Sequence, residues 1–351
     1  MNGVEIYSRS AIMRPCVDQT VVEFVFAVRS KCTWHRTTTL FILTSNMDNQ
    51  EGKPVRIVLW YIPRTVSVAI LKCLSAIEGM EVWFEAFSYC GMTRKRYQDA
   101  YGCDIPMEYE GNEEEAEKGA KLFERIVRSK IEPDRIMYGK VKERMGASTS
   151  KYLVTKEMFI AFPDEKTRRY LPTGFRHVFL IRDPYRVFRS YRTAIYKQLQ
   201  NVGLRTGEPD DMESFDLRTD DPSIDPSTMF TGMRDLWTYI RDNIDPEAVI
   251  MNTDDLLANP GDVLSKLCHA VGLPFSPSLL QWDPSPDVVK RWNAAGDDVV
   301  MATKAFYQRA INSSRFLPPS PDIAPEQHGR DVRTLAEAAM PYFKEMDRFK
   351  I

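Results

Sequence analysis

The stretch Ile62-Pro63-Arg64-Thr65-Val66-Ser67-Val68 joins an apolar run to a segment of helical spacing, and brings one guanidinium and two hydroxyls together within four residues. A tight strand-to-helix loop of this kind suits an anion. The first N–H groups of the helix lack intrahelical acceptors, and the positive end of its dipole faces the loop. Arg64 adds charge and the hydroxyls of Thr65 and Ser67 add donors, each hydrogen bond to a charged group contributing about 1.5–3 kcal/mol. Taken alone, an ordinary helix start capped by Thr65, with a solvated arginine, reads equally well. The loop has no glycine and no Gly-Lys-Ser/Thr, so a Walker-type ATPase is not expected. Further along, Ile181-Arg182-Asp183-Pro184 closes a second apolar run, and Ser190 follows eight residues after Arg182.

Those junctions need a scaffold. Residues 57–62 are continuously apolar, as expected of a strand buried on both faces of a parallel sheet, and Pro63 ends it. Val68, Ala69, Leu71, Lys72, Leu74, Ser75 and Ile77 continue with helical spacing as far as Gly79, a natural C-cap. Residues 80–84 read as a second strand ending at Glu85. Asn112 followed by Glu113, Glu114 and Glu115 signals an N-cap with an acidic first turn, opening a helix towards Lys130. Residues 152–155 form a short strand before Lys156. Residues 175–181 form the clearest strand after the first, with a helix over 185–199 beyond it. Residues 204–228, rich in Asp, Pro and Ser, lack periodicity and read as a long lid-type loop. A strand at 248–252, a helix at 260–271 closed by Gly272, an extended proline-rich stretch at 318–325 and a last helix at 331–349 complete the pattern. Alternating strands and helices predict an α/β fold, a parallel sheet flanked by helices on both faces, with ligands at the carboxyl ends of its strands. Residues 1–53 look different and end in a polar linker. They are expected to be a poorly ordered appendage with a short strand at 40–43, and 54–351 to be one α/β domain.

Together the two junctions resemble the sulfotransferase superfamily, whose P-loop-like fold binds 3′-phosphoadenosine 5′-phosphosulfate (PAPS). In that family the first loop holds the 5′-phosphosulfate, while an R-D-P segment and a serine eight positions after its arginine hold the 3′-phosphate. Pro63, Arg64 and Ser67 match the first motif; Arg182, Asp183, Pro184 and Ser190 match the second. The resemblance extends over most of 56–317 and is nearest to small sulfotransferase-like proteins with an R-S-V-S-T loop. A late stretch, Asp255-Leu256-Leu257-Ala258-Asn259-Pro260 with Gly272-Leu273-Pro274-Phe275, also recurs among them and reads as scaffold. The resemblance implies a PAPS-dependent sulfotransferase needing no metal. Its cosubstrate residues are Arg64, Thr65, Val66, Ser67, Val68, Arg182 and Ser190, and its catalytic residues Arg64, Glu85 and Lys156. Glu85 takes the acceptor's proton, as a similarly placed glutamate does in relatives that sulfonate protein tyrosines or glycans. Lys156 resembles a lysine that contacts the transferring sulfonate, and Arg64 stabilises developing charge. A solvated strand-end carboxylate and a surface lysine are the plain alternatives. His177, within a strand, reads as a packed histidine.

Two positions depart from the family pattern. Thr65 replaces a serine and keeps the hydroxyl, whereas Val68 replaces a threonine and removes a donor. The alternative function is therefore a catalytically silent nucleotide-binding homologue with a regulatory or partner-binding role. A nucleotide kinase of the same broad fold is disfavoured by the missing Walker lysine.

Composition narrows the rest. Of 351 residues, 43% are hydrophobic and 27% charged, enough for a sizeable core in a soluble protein. The 47 basic and 49 acidic side chains give a net charge of −2, which disfavours nucleic acid as a partner. Six scattered cysteines with no C-x-x-C pair predict reduced thiols and no zinc site. No apolar run reaches membrane-spanning length, and Glu5 and Asp18 interrupt any secretory signal, so a cytoplasmic location is expected. The acids at 108–117 and in 204–228 are candidate acceptor-side walls. They lead to the expectation of a neutral or cationic acceptor, whether small molecule, glycan or peptide.

Overall fold

The computed structural model describes residues 53–201, 203–222 and 224–351, together with the backbone of four strands between residues 12 and 38. The chain divides into two compact units, Met1–Lys53 and Pro54–Ile351. In the first unit β1 (Ile12–Cys16) pairs antiparallel with β2 (Gln19–Glu23), and β3 (Val25–Arg29) with β4 (Trp34–Thr38). The strand expected at 40–43, and the order expected of the remainder of this segment, lie outside the described residues.

The second unit is built on a five-stranded parallel sheet. Its strands are β5 (Val55–Tyr61), β6 (Met80–Phe84), β7 (Tyr152–Met158), β8 (Arg176–Ile181) and β9 (Val249–Asn252), in the order β6-β7-β5-β8-β9. The central position of β5 explains its unbroken apolar sequence, since a strand covered on both faces has no solvent side. Val58, Leu59 and Trp60 are fully buried, and each apolar side chain of this size stabilises the fold by about 1.5–3 kcal/mol. His177 of β8 lies in the same core. It accepts the Trp60 indole N–H at Nδ1 (2.9 Å), and burial, with Arg176 nearby, pulls its pKa down to about 3. It is the packed, neutral histidine the sequence implied.

Eight longer helices surround the sheet: α1 (Ser67–Leu74), α2 (Ala86–Tyr101), α3 (Glu113–Val127), α4 (Tyr138–Gly146), α5 (Pro184–Asn201), α6 (Met229–Asn243), α7 (Pro260–Val271) and α8 (Arg330–Asp347). Several boundaries differ from expectation. Helix α1 stops at Leu74, so Gly79 (φ 77°) turns the chain into β6 and does not cap a helix. Asn112 occupies the N-cap position of α3, but its amide donates to the Glu108 carbonyl (3.1 Å) and leaves the helix uncapped by a side chain. Helix α3 ends at Val127, short of Lys130. Strand β7 continues through Lys156 to Met158, which makes Lys156 part of the sheet itself.

The 204–228 segment is not a bare loop. It holds short helices at Pro209–Ser214 and Leu217–Asp220. Arg205 ties them together through Asp211 (3.0 Å) and Asp220 (2.6 Å). Arg192 of α5 donates to the carbonyls of Phe215 (2.6 Å) and Met212 (3.0 Å) and pairs with Asp331 of α8. Among the described residues no helix is long and apolar enough to cross a membrane, and no cluster of His, Cys, Asp and Glu has metal-binding geometry.

Candidate active site

Tyr61, Glu85, Met158 and Arg182 stand at or just past the carboxyl ends of β5, β6, β7 and β8, and all four line one cavity of about 740 Å³. Four described non-glycine residues adopt the left-handed backbone: Arg64 (φ 73°), Val66 (φ 62°), Glu85 (φ 57°) and Arg128 (φ 53°). Every one of them lines this cavity. Each such conformation costs roughly 1–3 kcal/mol and is harshest for β-branched Val66. Strain gathered in one place makes the cavity the candidate functional site.

The loop after β5 borders the cavity. The Thr65 hydroxyl is buried and donates to the Ile62 carbonyl (2.8 Å). The expected role of Thr65 as a side-chain donor to the anion is therefore corrected: its hydroxyl closes the loop. The Val66 carbonyl accepts from the N–H groups of Ala69 (3.0 Å) and Ile70 (3.2 Å), so the earlier N–H groups of α1 are the ones its start leaves for an outside acceptor. Arg64, Val66, Ser67 and Val68 all border the cavity.

Three elements converge on Arg64. Its Nε donates to Ser190 Oγ on α5 (2.9 Å), and Nη1 donates to the Phe306 carbonyl (2.8 Å). Arg182 donates to the Arg64 carbonyl (3.0 Å) and is itself held by Asp254 (3.0 Å). Burial lowers the pKa of Arg64, and the charges of Arg182 and Arg309 act in the same direction. This cluster of cations calls for an anion.

Glu85 opens α2 just beyond β6, and the sheet register explains its surroundings. Phe84 pairs with Lys156 on β7, and Lys156 with Leu59 on β5. The carboxylate therefore meets the Lys156 ammonium, and both are buried. Tyr61, Lys156 and Tyr307 all donate to the same oxygen, Oε1. Oε2 has no hydrogen-bond partner among the described residues. Burial lowers the pKa of Lys156, Glu85 pulling the other way, and the ammonium lies 3.7 Å from the Tyr61 ring centre and 4.3 Å from that of Phe84. Burial, and then Glu85, raise both tyrosine pKa values, which keeps their hydroxyls as donors. Lys156 lies beneath Glu85 and is absent from the cavity lining. The partner the structure gives Lys156 is the glutamate.

Sequence reasoning missed much of the lining. Nine arginines border the cavity (64, 96, 125, 128, 182, 186, 189, 309 and 315), and Glu85 is the one carboxylate among its described lining residues. Arg186 and Arg189 follow Arg182 at helical spacing and were legible as one face. Arg309, Arg315 and Tyr307 come from a segment without a motif, which Lys72 of α1 holds through the carbonyls of Ile311 and Ser313. The expected acidic walls do not line the cavity. Glu110 pairs with Lys140 (2.9 Å), Glu114 with Lys118 (2.8 Å), and Asp211 and Asp220 with Arg205. The 204–228 segment contributes Leu204, Pro222 and Ile224 instead.

Residues 239–349 match a family model described as a sulfotransferase domain. That stretch holds Tyr307, Arg309 and Arg315 but neither of the anion-loop motifs. Two solved structures overlap the chain at low identity. The sulfotransferase domain from the curacin biosynthetic pathway is 14% identical, with 81% of this chain and 97% of that one covered and a TM-score of 0.37. The sulfotransferase domain from the Synechococcus PCC 7002 olefin synthase is 15% identical, with 73% and 94% covered and a TM-score of 0.33. No curated protein matches the chain. The sulfotransferase-domain match thus lies in the last third of a chain whose second unit is built on a parallel α/β sheet.

Proposed function

We propose that this chain moves a sulfonate from PAPS to a hydroxyl or amine of an acceptor. The observation that carries the reading is the convergence of Arg182 and Ser190 on Arg64, in the loop that leads into α1. The residues present fit a polyanionic cosubstrate, with many arginines, a helix start and a single carboxylate around one cavity. PAPS supplies the sulfonate on an anhydride bond to phosphate. The chain supplies everything else. Arg64 and the first N–H groups of α1 stabilise the charge that develops as that bond breaks. Arg182 and Ser190 bind the 3′-phosphate. Glu85 accepts the acceptor's proton at Oε2 while Tyr61, Lys156 and Tyr307 fix Oε1.

Val68, in place of a donor, favours one competing reading, a nucleotide-binding protein that no longer catalyses. Incubation with ³⁵S-labelled PAPS and a panel of alcohols, phenols and amines separates the two. Transfer of label, unchanged by a metal chelator, supports catalysis. Tight binding of adenosine 3′,5′-bisphosphate with no transfer to any acceptor would favour the silent homologue.

A further inference from the structure

We propose, on the reading of the site just given, that the acceptor is an amphipathic anion: an apolar body carrying a carboxylate besides the hydroxyl or amine that is sulfonated. The sheet order separates two ends of the cavity. From β8, which delivers Arg182, to β6, which delivers Glu85, there are three strand spacings, roughly 14 Å at about 4.8 Å each. The Arg182 end carries the arginines and the serine assigned to the donor. The Glu85 end continues along α2 and α3, where Tyr89 packs on Phe123 with ring centres 5.2 Å apart.

That second end is apolar. Met92, Phe123, Ile126 and Val127 line it from α2 and α3, and Leu204 and Ile224 belong to the same lining. Ile126 (39% exposed) and Leu204 (67% exposed) are two of the large hydrophobic side chains the described surface leaves uncovered. An acceptor body of like polarity would cover them.

Three arginines accompany this apolar surface: Arg96 on α2, Arg125 in the last turn of α3, and Arg128 just past it. None has an ion pair or a side-chain hydrogen bond among the described residues. Asp99, on the same helix as Arg96, is the one carboxylate whose charge reaches it. The contrast along α2 is direct, since Arg94, two residues away, is held by Asp104 (3.1 Å) and Asp164 (2.6 Å). Arg128 adds a second argument. It occupies the left-handed C-cap of α3 (φ 53°), a position that glycine fills without strain. An arginine there places a cation at the cavity against its backbone preference. None of the acids at 108–117 or in 204–228 lines the cavity, so the charge these three arginines bring is not offset by them.

The test is calorimetric titration of the full chain with 10-hydroxydecanoate, 1,10-decanediol and 10-aminodecan-1-ol, each with and without adenosine 3′,5′-bisphosphate. The carboxylate should bind roughly tenfold more tightly than the diol and the amine most weakly, with the preference shrinking as salt rises. Arg128→Gly removes the charge and relieves the strained backbone. It should keep or raise the melting temperature, leave bisphosphate binding unchanged, and narrow the carboxylate preference by about two- to fivefold, the range for an exposed charge pair. Equal binding of the three ligands, a preference for the diol or the amine, or no binding of any would overturn the inference while leaving the donor reading intact. A carboxylate preference without bisphosphate binding would keep the ligand class and overturn its role as a sulfonation acceptor.

Discussion

Glu85 carries three donors on one carboxylate oxygen and none from a described residue on the other, a division of labour suited to a base that must stay in place while it takes a proton. Glu85→Gln keeps the shape and loses the proton acceptor. Affinity for adenosine 3′,5′-bisphosphate should stay within twofold, while transfer from labelled PAPS falls by about 10²–10⁴, the usual range for a lost general base. Intact transfer would assign the base elsewhere. Arg64, Glu85, Arg182 and Ser190 were legible because each sits at a fixed offset from the end of an apolar run. Tyr61 was not, since an aromatic inside an apolar run reads as core. Tyr307 was not either, because 222 residues separate it from the carboxylate it touches and no local pattern reports that contact.

At the level of elements, β5, β6 and β8 could be read from their apolar runs, and α7 from its proline start and glycine end. Strand β7 was cut short because Lys156 and Glu157 break the pattern of a buried strand; both are buried here beside partners from other elements, Glu85 for the lysine and Ser88 for the glutamate. Helix α2 went unread for a similar reason, since Arg94, Lys95, Arg96, Gln98 and Asp99 obscure its packing face. The segment bearing Tyr307, Arg309 and Arg315 depends on α1, whose Lys72 donates to the carbonyls of Ile311 and Ser313. Lys72 is not itself a lining residue, and Lys72→Met should release that segment. Bisphosphate affinity should fall about three- to tenfold, equivalent to roughly 1 kcal/mol, and hydrogen exchange over 304–315 should accelerate. Unchanged exchange would show that other contacts hold the segment.

Across the whole molecule two buried groups give stability opposite slopes with pH. Burial lifts Glu157 to about 7, against the stabilising hydrogen bonds from Thr155 and Ser88. The unfolded chain releases this proton first, so stability falls as pH rises from about 4.5 to 7, by about 3 kcal/mol in all. His177, held down at about 3, acts the other way, and its contribution is lost as pH falls below about 6.5. Glu157→Gln should remove the first slope. In urea denaturation, the stability of the variant relative to the parent should rise by about 3 kcal/mol between pH 4.5 and pH 8, and a constant difference would contradict the assignment. The net charge of −2 hides a cavity bordered by nine arginines, a concentration of positive charge that composition alone does not report. The central claim is that the end of this cavity holding Arg64, Arg182 and Ser190 is arranged for a nucleotide with a 3′-phosphate. Calorimetric titration of the chain with adenosine 3′,5′-bisphosphate, AMP and ATP tests it most directly. Micromolar binding of the bisphosphate, with AMP and ATP far weaker, is the predicted result. Equal affinity for all three, or no binding by a folded chain, would contradict it.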